Sequence, residues 1–138
     1  MNEQSYALFV YGTLKKNERA SYMLADAEYL GEASTKEKYQ LYSFGSFPAM
    51  VHGTNVVDGE LYKINFFTKS KLDFYEGVLD GYYRFEEIEL SKISFFNFDK
   101  YKILDTKIYA YIFNESVANL PKISKWPCSP SNYTYNYK

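Results

Sequence analysis

The stretch Tyr6-Ala7-Leu8-Phe9-Val10-Tyr11-Gly12-Thr13-Leu14 decides the fold class. Tyr6 to Tyr11 is a continuous apolar run, rich in aromatic side chains and ended by a glycine. That pattern reads as a buried first strand leaving into a loop over 12–16. From Asn17, read as an N-cap, the apolar positions Ala20, Met23, Leu24 and Ala27 recur at helical spacing and predict a short amphipathic helix. The opening unit is therefore strand, glycine loop, helix.

Outward from this unit, residues 28–34 and 39–44 read as short strands separated by the polar stretch 35–38. Gly45 and Pro48 break the pattern at 44–48, since proline cannot donate to a central ladder and glycine permits tight turns. Residues 56–64 alternate as a strand, with Gly59 marking a bulge or a close approach of two backbones. Thr68 is read as the cap of a second short helix, with Leu72, Tyr75 and Leu79 on one stripe and Asp73, Glu76 and Asp80 on another; Gly77 ends it. Residues 82–90 and 107–113 read as strands, and 91–106 as an extension of the sheet or a hairpin.

From Asn114 the chain carries three of its four prolines and closes on alternating tyrosines, which predicts an irregular tail over 114–138 packed on a domain formed by 6–113. Strands and helices do not alternate regularly, which indicates an α+β domain. A closed or nearly closed sheet would remove edges that such aromatic strands should not expose.

Composition narrows the function. The 138 residues suit one globular domain that needs no disulfide or metal staple. Sixteen Lys+Arg against seventeen Asp+Glu leave a net charge of -1, with no excess from which to build a phosphate-binding face, so nucleic acid is disfavoured as a partner. No apolar run reaches the roughly 20 residues that span a bilayer. These features predict a soluble cytoplasmic protein with no membrane partner. Aromatic residues make up 20% of the chain, which fits a sheet core better than base stacking without accompanying cations.

The single cysteine, Cys128, excludes an intrachain disulfide, and the single histidine, His52, excludes any site needing two imidazoles. His52 has no nucleophile elbow beside it and reads as a loop or surface residue; Cys128 reads as structural. There is no glycine-rich nucleotide motif. Two features remain. Gly12, after a buried strand, would let successive backbone N–H groups of the Tyr11–Leu14 loop meet a carboxylate near a helix start. Glu76, among aromatics at a helix end with Asp73 three residues back, is a carboxylate whose pKa would rise toward values useful for proton transfer. A strand-end glycine alone serves only a turn, and a helix carboxylate alone is commonly solvated, so each gains meaning from the other.

Taken in order, the residues resemble the γ-glutamylcyclotransferase-like family. Phe9-Val-Tyr-Gly-Thr-Leu14 resembles its N-terminal signature, Phe47-Pro-Ala-Met50 its next loop, and Gly59-Glu-Leu-Tyr62 its following strand. Leu72-Asp-Phe-Tyr-Glu-Gly77 followed by Tyr82-Tyr-Arg84 resembles the segment bearing the catalytic glutamate. The resemblance covers 6–113. It implies a small mixed β-barrel with short helices whose cavity holds a γ-glutamyl amino acid or amine and releases 5-oxoproline. Glu76 would be the acid/base, the Tyr11, Gly12, Thr13 and Leu14 loop would bind the substrate's α-carboxylate through backbone N–H groups, and no metal or cofactor is implied. The sequence departs from the family pattern over 91–106, which is longer and more aromatic, and in the tail, which matches little beyond Trp126. Arg84 is read as pairing with Glu86 or Asp73, or as bordering the site. Tyr11, Tyr42, Tyr82 and Tyr111 are read as core side chains. The leaving amine and the oligomeric state stay open. The alternative is a non-catalytic binder of a small carboxylate on the same fold.

Overall fold

The computed structural model describes residues 4–95 and 107–126. Its strands are β1 (Ser5–Val10), β2 (Glu28–Thr35), β3 (Tyr39–Ser43), β4 (Pro48–His52), β5 (Asp58–Asn65), β6 (Tyr83–Ile88), β7 (Leu90–Phe95), β8 (Ile108–Phe113) and β9 (Lys122–Ile123). One α-helix, α1 (Phe66–Tyr75), joins β5 to β6. A six-stranded sheet runs in the order β6-β8-β1-β5-β2-β7, and a three-stranded sheet in the order β4-β3-β9. All pairings are antiparallel except β1 with β8.

The apolar run is buried because β1 is covered on both faces. Successive side chains of a strand point to opposite faces. Ala7 and Phe9, with Tyr11 just beyond, therefore enter one core, shared with Leu41, Met50, Ile123 and Trp126 from the small-sheet side. Leu8 and Val10 enter a second core with Leu72 of α1 and with Ala20 and Leu24. Leu8 and Phe9 are 0% and 1% exposed, and each such side chain contributes about 1.5–3 kcal/mol by leaving water. The α+β reading holds.

The barrel expectation needs correction, because the large sheet stays open between β6 and β7. These strands are separated only by Glu89, yet they occupy opposite edges. The sheet is therefore rolled until its edges meet at a corner, where one extended segment bends from pairing with β8 to pairing with β2. The single residue Glu89 is too short a connection for a hairpin turn, so β6 and β7 do not pair and the seam carries no ladder.

The first predicted helix is also replaced. Only a 3₁₀ turn, Ser21–Leu24, forms, preceded by a chain of tight turns: Lys15 N–H donates to Gly12, Glu18 N–H to Lys15 and Ser21 N–H to Glu18. Asn17 has φ +67°, a left-handed turn conformation rather than the extended one of a cap. The spacing correctly marks buried Ala20 and Leu24, but i→i+3 turns deliver them. The predicted break at 44–48 is a turn in which Phe44 N–H donates to the Phe47 carbonyl, after which Pro48 opens a strand at its first position, where its missing N–H is tolerated. Gly59 is a close approach: a Cβ there would lie 2.3 Å from the Val10 carbonyl oxygen, while the bulge falls between Tyr29 and Gly31. The cap of α1 is Asn65, whose side chain accepts from Thr68 N–H at 2.9 Å, because β5 runs straight into the helix.

Of the stretch 91–106, residues 91–95 belong to β7, and 96–106 lie outside the described residues. Of the expected tail, Lys122–Ile123 pairs with β3, and Ile123 and Trp126 sit in the core, so 114–126 is partly ordered into the sheet. Cys128 and the closing tyrosines lie outside the described residues.

Candidate active site

The strand-end loop and the end of α1 are brought to one place. A cavity of about 610 Å³ is lined by Tyr11, Gly12, Thr13 and Leu14 on one side and by Tyr75, Glu76 and Gly77 on another. The loop is shaped by its own hydrogen bonds: Ala20 N–H donates to the Thr13 carbonyl at 3.0 Å and Lys15 N–H to Gly12 at 3.0 Å. The N–H groups of Gly12, Thr13 and Leu14 themselves meet no acceptor among the described residues. Gly12 sits against Pro48, whose Cγ would lie 2.5 Å from an added Cβ, so only glycine lets the loop pass under the proline ring. The loop precedes turns rather than a helix, so its amides act without a helix macrodipole behind them.

Glu76 is the C-cap of α1. Gly77, at φ +69°, closes the helix: its N–H donates to Phe74 at 3.1 Å, and Val78 N–H reaches back to Asp73 at 2.9 Å, the paired bonds of a Schellman end. Two side chains of the last turn are tied down on either side. The Tyr75 hydroxyl lies 3.0 Å from Thr13 Oγ1, and Asp73 accepts from Tyr111 at 2.7 Å and from Lys69 at 2.8 Å. Asp73 therefore anchors the helix to β8 and does not share the cavity with Glu76.

The Glu76 side chain has no hydrogen bond or cation among the described residues. Burial alone pushes its carboxyl up to about 8. Three phenols surround it: those of Tyr11, Tyr83 and Tyr111 are all held above their ordinary value, chiefly by burial, and the Glu76 charge adds to each. Tyr11 donates to the Tyr111 carbonyl, and Tyr83 to the Pro48 carbonyl at 3.0 Å. These rings are a fixed, protonated wall. Among the described residues no group of three or more His, Cys, Asp or Glu side chains could hold a metal ion, and no helix is long and apolar enough to cross a membrane.

Other sequence expectations land elsewhere. His52, at the exposed end of β4, places Nε2 2.6 Å from Glu86, and Arg84 donates to Glu86 at 2.6 Å, away from the cavity. Tyr11 and Tyr111 are core residues, whereas Tyr42 is half-buried and Tyr82, 54% exposed, stands at the cavity rim. Sequence reasoning missed Tyr75, Tyr83 and Arg19 as cavity residues. Adjacency to Glu76 could have signalled Tyr75; the other two depend on long-range packing.

The architecture matches solved structures of one fold. An AIG2-like protein from Mus musculus superposes with a TM-score of 0.71, covering 98% of this chain and 99% of that one at 17% identity, a likeness of fold. The protein YtfP from Escherichia coli superposes with a TM-score of 0.64 at 29% identity, over 88% of this chain and 96% of that one. In sequence, the curated family protein YtfP is 41% identical over 66 residues, which is 48% of this chain and 58% of YtfP. A Vibrio cholerae protein that carries a provisional γ-glutamylcyclotransferase name is 38% identical over 79 residues, 57% of this chain and 69% of that protein. Residues 8–127 match the family described as γ-glutamyl cyclotransferase, AIG2-like, and the chain belongs to that family.

Proposed function

We propose that the protein cyclises the γ-glutamyl group of a γ-glutamyl amino acid or amine to 5-oxoproline and releases the free amine, with Glu76 as the acid/base. The observation that carries this reading is Glu76, a carboxyl raised to about 8 and without a partner among the described residues, lining a cavity that it shares with three loop amides that meet no acceptor among those residues. The N–H groups of Gly12, Thr13 and Leu14 hold the substrate's α-carboxylate, and the backbone of Tyr11 completes that edge of the cavity. This fixes the α-carbon, and with it the α-amine, relative to Glu76.

The reaction is an internal transfer. The α-amine nitrogen attacks the γ-carbonyl carbon, the amide bond to the leaving nitrogen breaks, and one proton moves from the attacking to the departing nitrogen. Glu76 accepts that proton and returns it, so no other reactant is consumed. An α-amine ordinarily titrates at about 7.7–8.0. A carboxyl near 8 is matched to it, which is the condition under which one group serves both transfers well. Holding nucleophile and electrophile in a five-membered-ring geometry supplies much of the remaining acceleration.

The test is incubation of the protein and its Glu76→Gln variant with a panel of γ-glutamyl amino acids and amines, with 5-oxoproline read by mass spectrometry. Product from the unaltered protein alone is expected. Equal product from both would remove Glu76 from the mechanism. Binding of 5-oxoproline without turnover of any γ-glutamyl compound would leave a carboxylate-binding protein in place of the enzyme.

A further inference from the structure

The cavity mouth carries a second set of side chains with no internal role. Arg19 lines the cavity and is exposed, with no hydrogen bond or ion pair to any described residue. Its neighbour Ala20 donates to the Thr13 carbonyl at 3.0 Å, which ties the backbone beside Arg19 to the loop that offers the free amides. Phe74 and Tyr82 also line the cavity, yet they are 86% and 54% exposed. Both are held beside Glu76: Phe74 by the last turn of α1, and Tyr82 by its N–H bond to the Gly77 carbonyl at 3.1 Å. Two exposed aromatic rings and a cation without a partner among the described residues, all lining one cavity, form a surface that a ligand would cover.

We infer that this mouth is a leaving-group subsite for γ-glutamyl amides of apolar α-amino acids: Arg19 takes the free α-carboxylate of the departing residue while Phe74 and Tyr82 cover its side chain. The inference rests on the proposed cyclisation and refines it. With the glutamyl α-carboxylate at the loop amides and the scissile amide at Glu76, the rest of the substrate projects outward between these groups. Arginine's planar fork matches a carboxylate, and a simple amine leaving group offers it nothing. Asp80 also lines the cavity and is exposed, its carboxylate in no hydrogen bond or ion pair among the described residues; its charge disfavours an acidic side chain there. The combination selects one charge and one apolar group on the departing amine.

Three substrates separate the contributions: γ-glutamyl-phenylalanine, γ-glutamyl-phenethylamine, which lacks only the carboxylate, and γ-glutamyl-glycine, which lacks only the benzyl side chain. The phenylalanine amide is expected to exceed the phenethylamide in kcat/KM by roughly tenfold, the worth of one charge-assisted hydrogen bond at a partly wet site. It is expected to exceed the glycine amide by roughly tenfold as well, the worth of an apolar group entering a partial pocket. Arg19→Gln should shrink the first ratio toward one and Phe74→Ala the second, each leaving the other ratio in place. Raised salt should erode only the first. Equal kcat/KM for all three substrates overturns the subsite while leaving the cyclisation standing. Weaker inhibition of Arg19→Gln by 5-oxoproline, which has no leaving group, overturns it too, by assigning Arg19 to the glutamyl moiety. Turnover of none of the three overturns both the subsite and the reaction.

Discussion

Glu76 and Gly12 are the two residues on which the site's chemistry turns, and each is constrained by a different force. Glu76 is governed by desolvation: with its carboxyl at about 8, the acid form predominates at neutral pH and the base form fills in only as pH rises through that value. Under the proposed reaction kcat/KM is therefore low near about pH 6 and climbs through about 8, by up to about tenfold per unit below the midpoint. Glu76→Gln should lower kcat by about 10²–10⁴ and remove the carboxyl's share of the climb, leaving only the titration of the substrate's own α-amine at about 7.7–8.0, since the amide keeps the shape and loses the proton acceptor. A pH–rate profile flat across that range would exclude the carboxyl from the proton transfer. Gly12 is governed by space. A Cβ at this position would lie 2.5 Å and 2.9 Å from Cγ and Cδ of Pro48, a rigid ring that cannot swing away. Gly12→Val should cost about 1–3 kcal/mol of stability through overpacking and displace the loop amides. KM should rise more than kcat falls, and a folded variant with unchanged KM would detach the loop from substrate binding.

At the scale of elements, what could be read from the sequence depended on whether the governing interaction was local. The end of α1 was legible because Gly77 both permits φ +69° and closes the Schellman bonds within six residues. Gly77→Ala should cost about 1–2 kcal/mol from the left-handed backbone alone, and its Cβ would lie 2.8 Å from Tyr82 Cδ2. The variant should lose turnover beyond what its stability predicts, because Glu76 precedes the distorted residue. Thermal melting combined with kinetics at a temperature where both proteins are folded separates the two effects. The stretch after Gly12 was not legible as built: Ala20 and Leu24 are buried as their spacing suggests, yet 3₁₀-type turns satisfy that burial as well as a helix would. Asn17 suits a cap and a left-handed turn alike, and the bond from Ala20 to Thr13 decides between them. Gly59 shows the same limit, because a strand glycine marks either a bulge or a contact. The Val10 carbonyl that makes it a contact lies on a strand almost fifty residues away.

For the whole molecule, the α+β class and the burial of β1 followed from composition and pattern, whereas the open seam beside Glu89 did not. That seam follows from which strands pair across long separations, a property of the rolled sheet. The co-location of the loop over 12–14 with Glu76 is likewise a long-range outcome, secured by Thr13 with Tyr75 and by Tyr111 with Asp73. This assembly has a global cost that can be measured. The folded protein raises the Glu76 carboxyl from its ordinary 4.5 to about 8, so between those values it binds a proton that the unfolded chain has lost. The contribution of Glu76 to stability is then fully present below about pH 4.5, declines as pH rises above it, and is lost as pH passes about 8. Partial exposure of the side chain trims the effect to on the order of 2–4 kcal/mol. Glu76→Gln has nothing to ionise, so this component should vanish. The variant should be more stable than the unaltered protein at about pH 9, and the gap should close toward about pH 5. Melting temperatures of the two proteins across this range measure it. A gap that does not change with pH would mean that Glu76 ionises as easily in the fold as in water. In that case the cavity would lack the low-dielectric surroundings on which its proposed acid/base role depends.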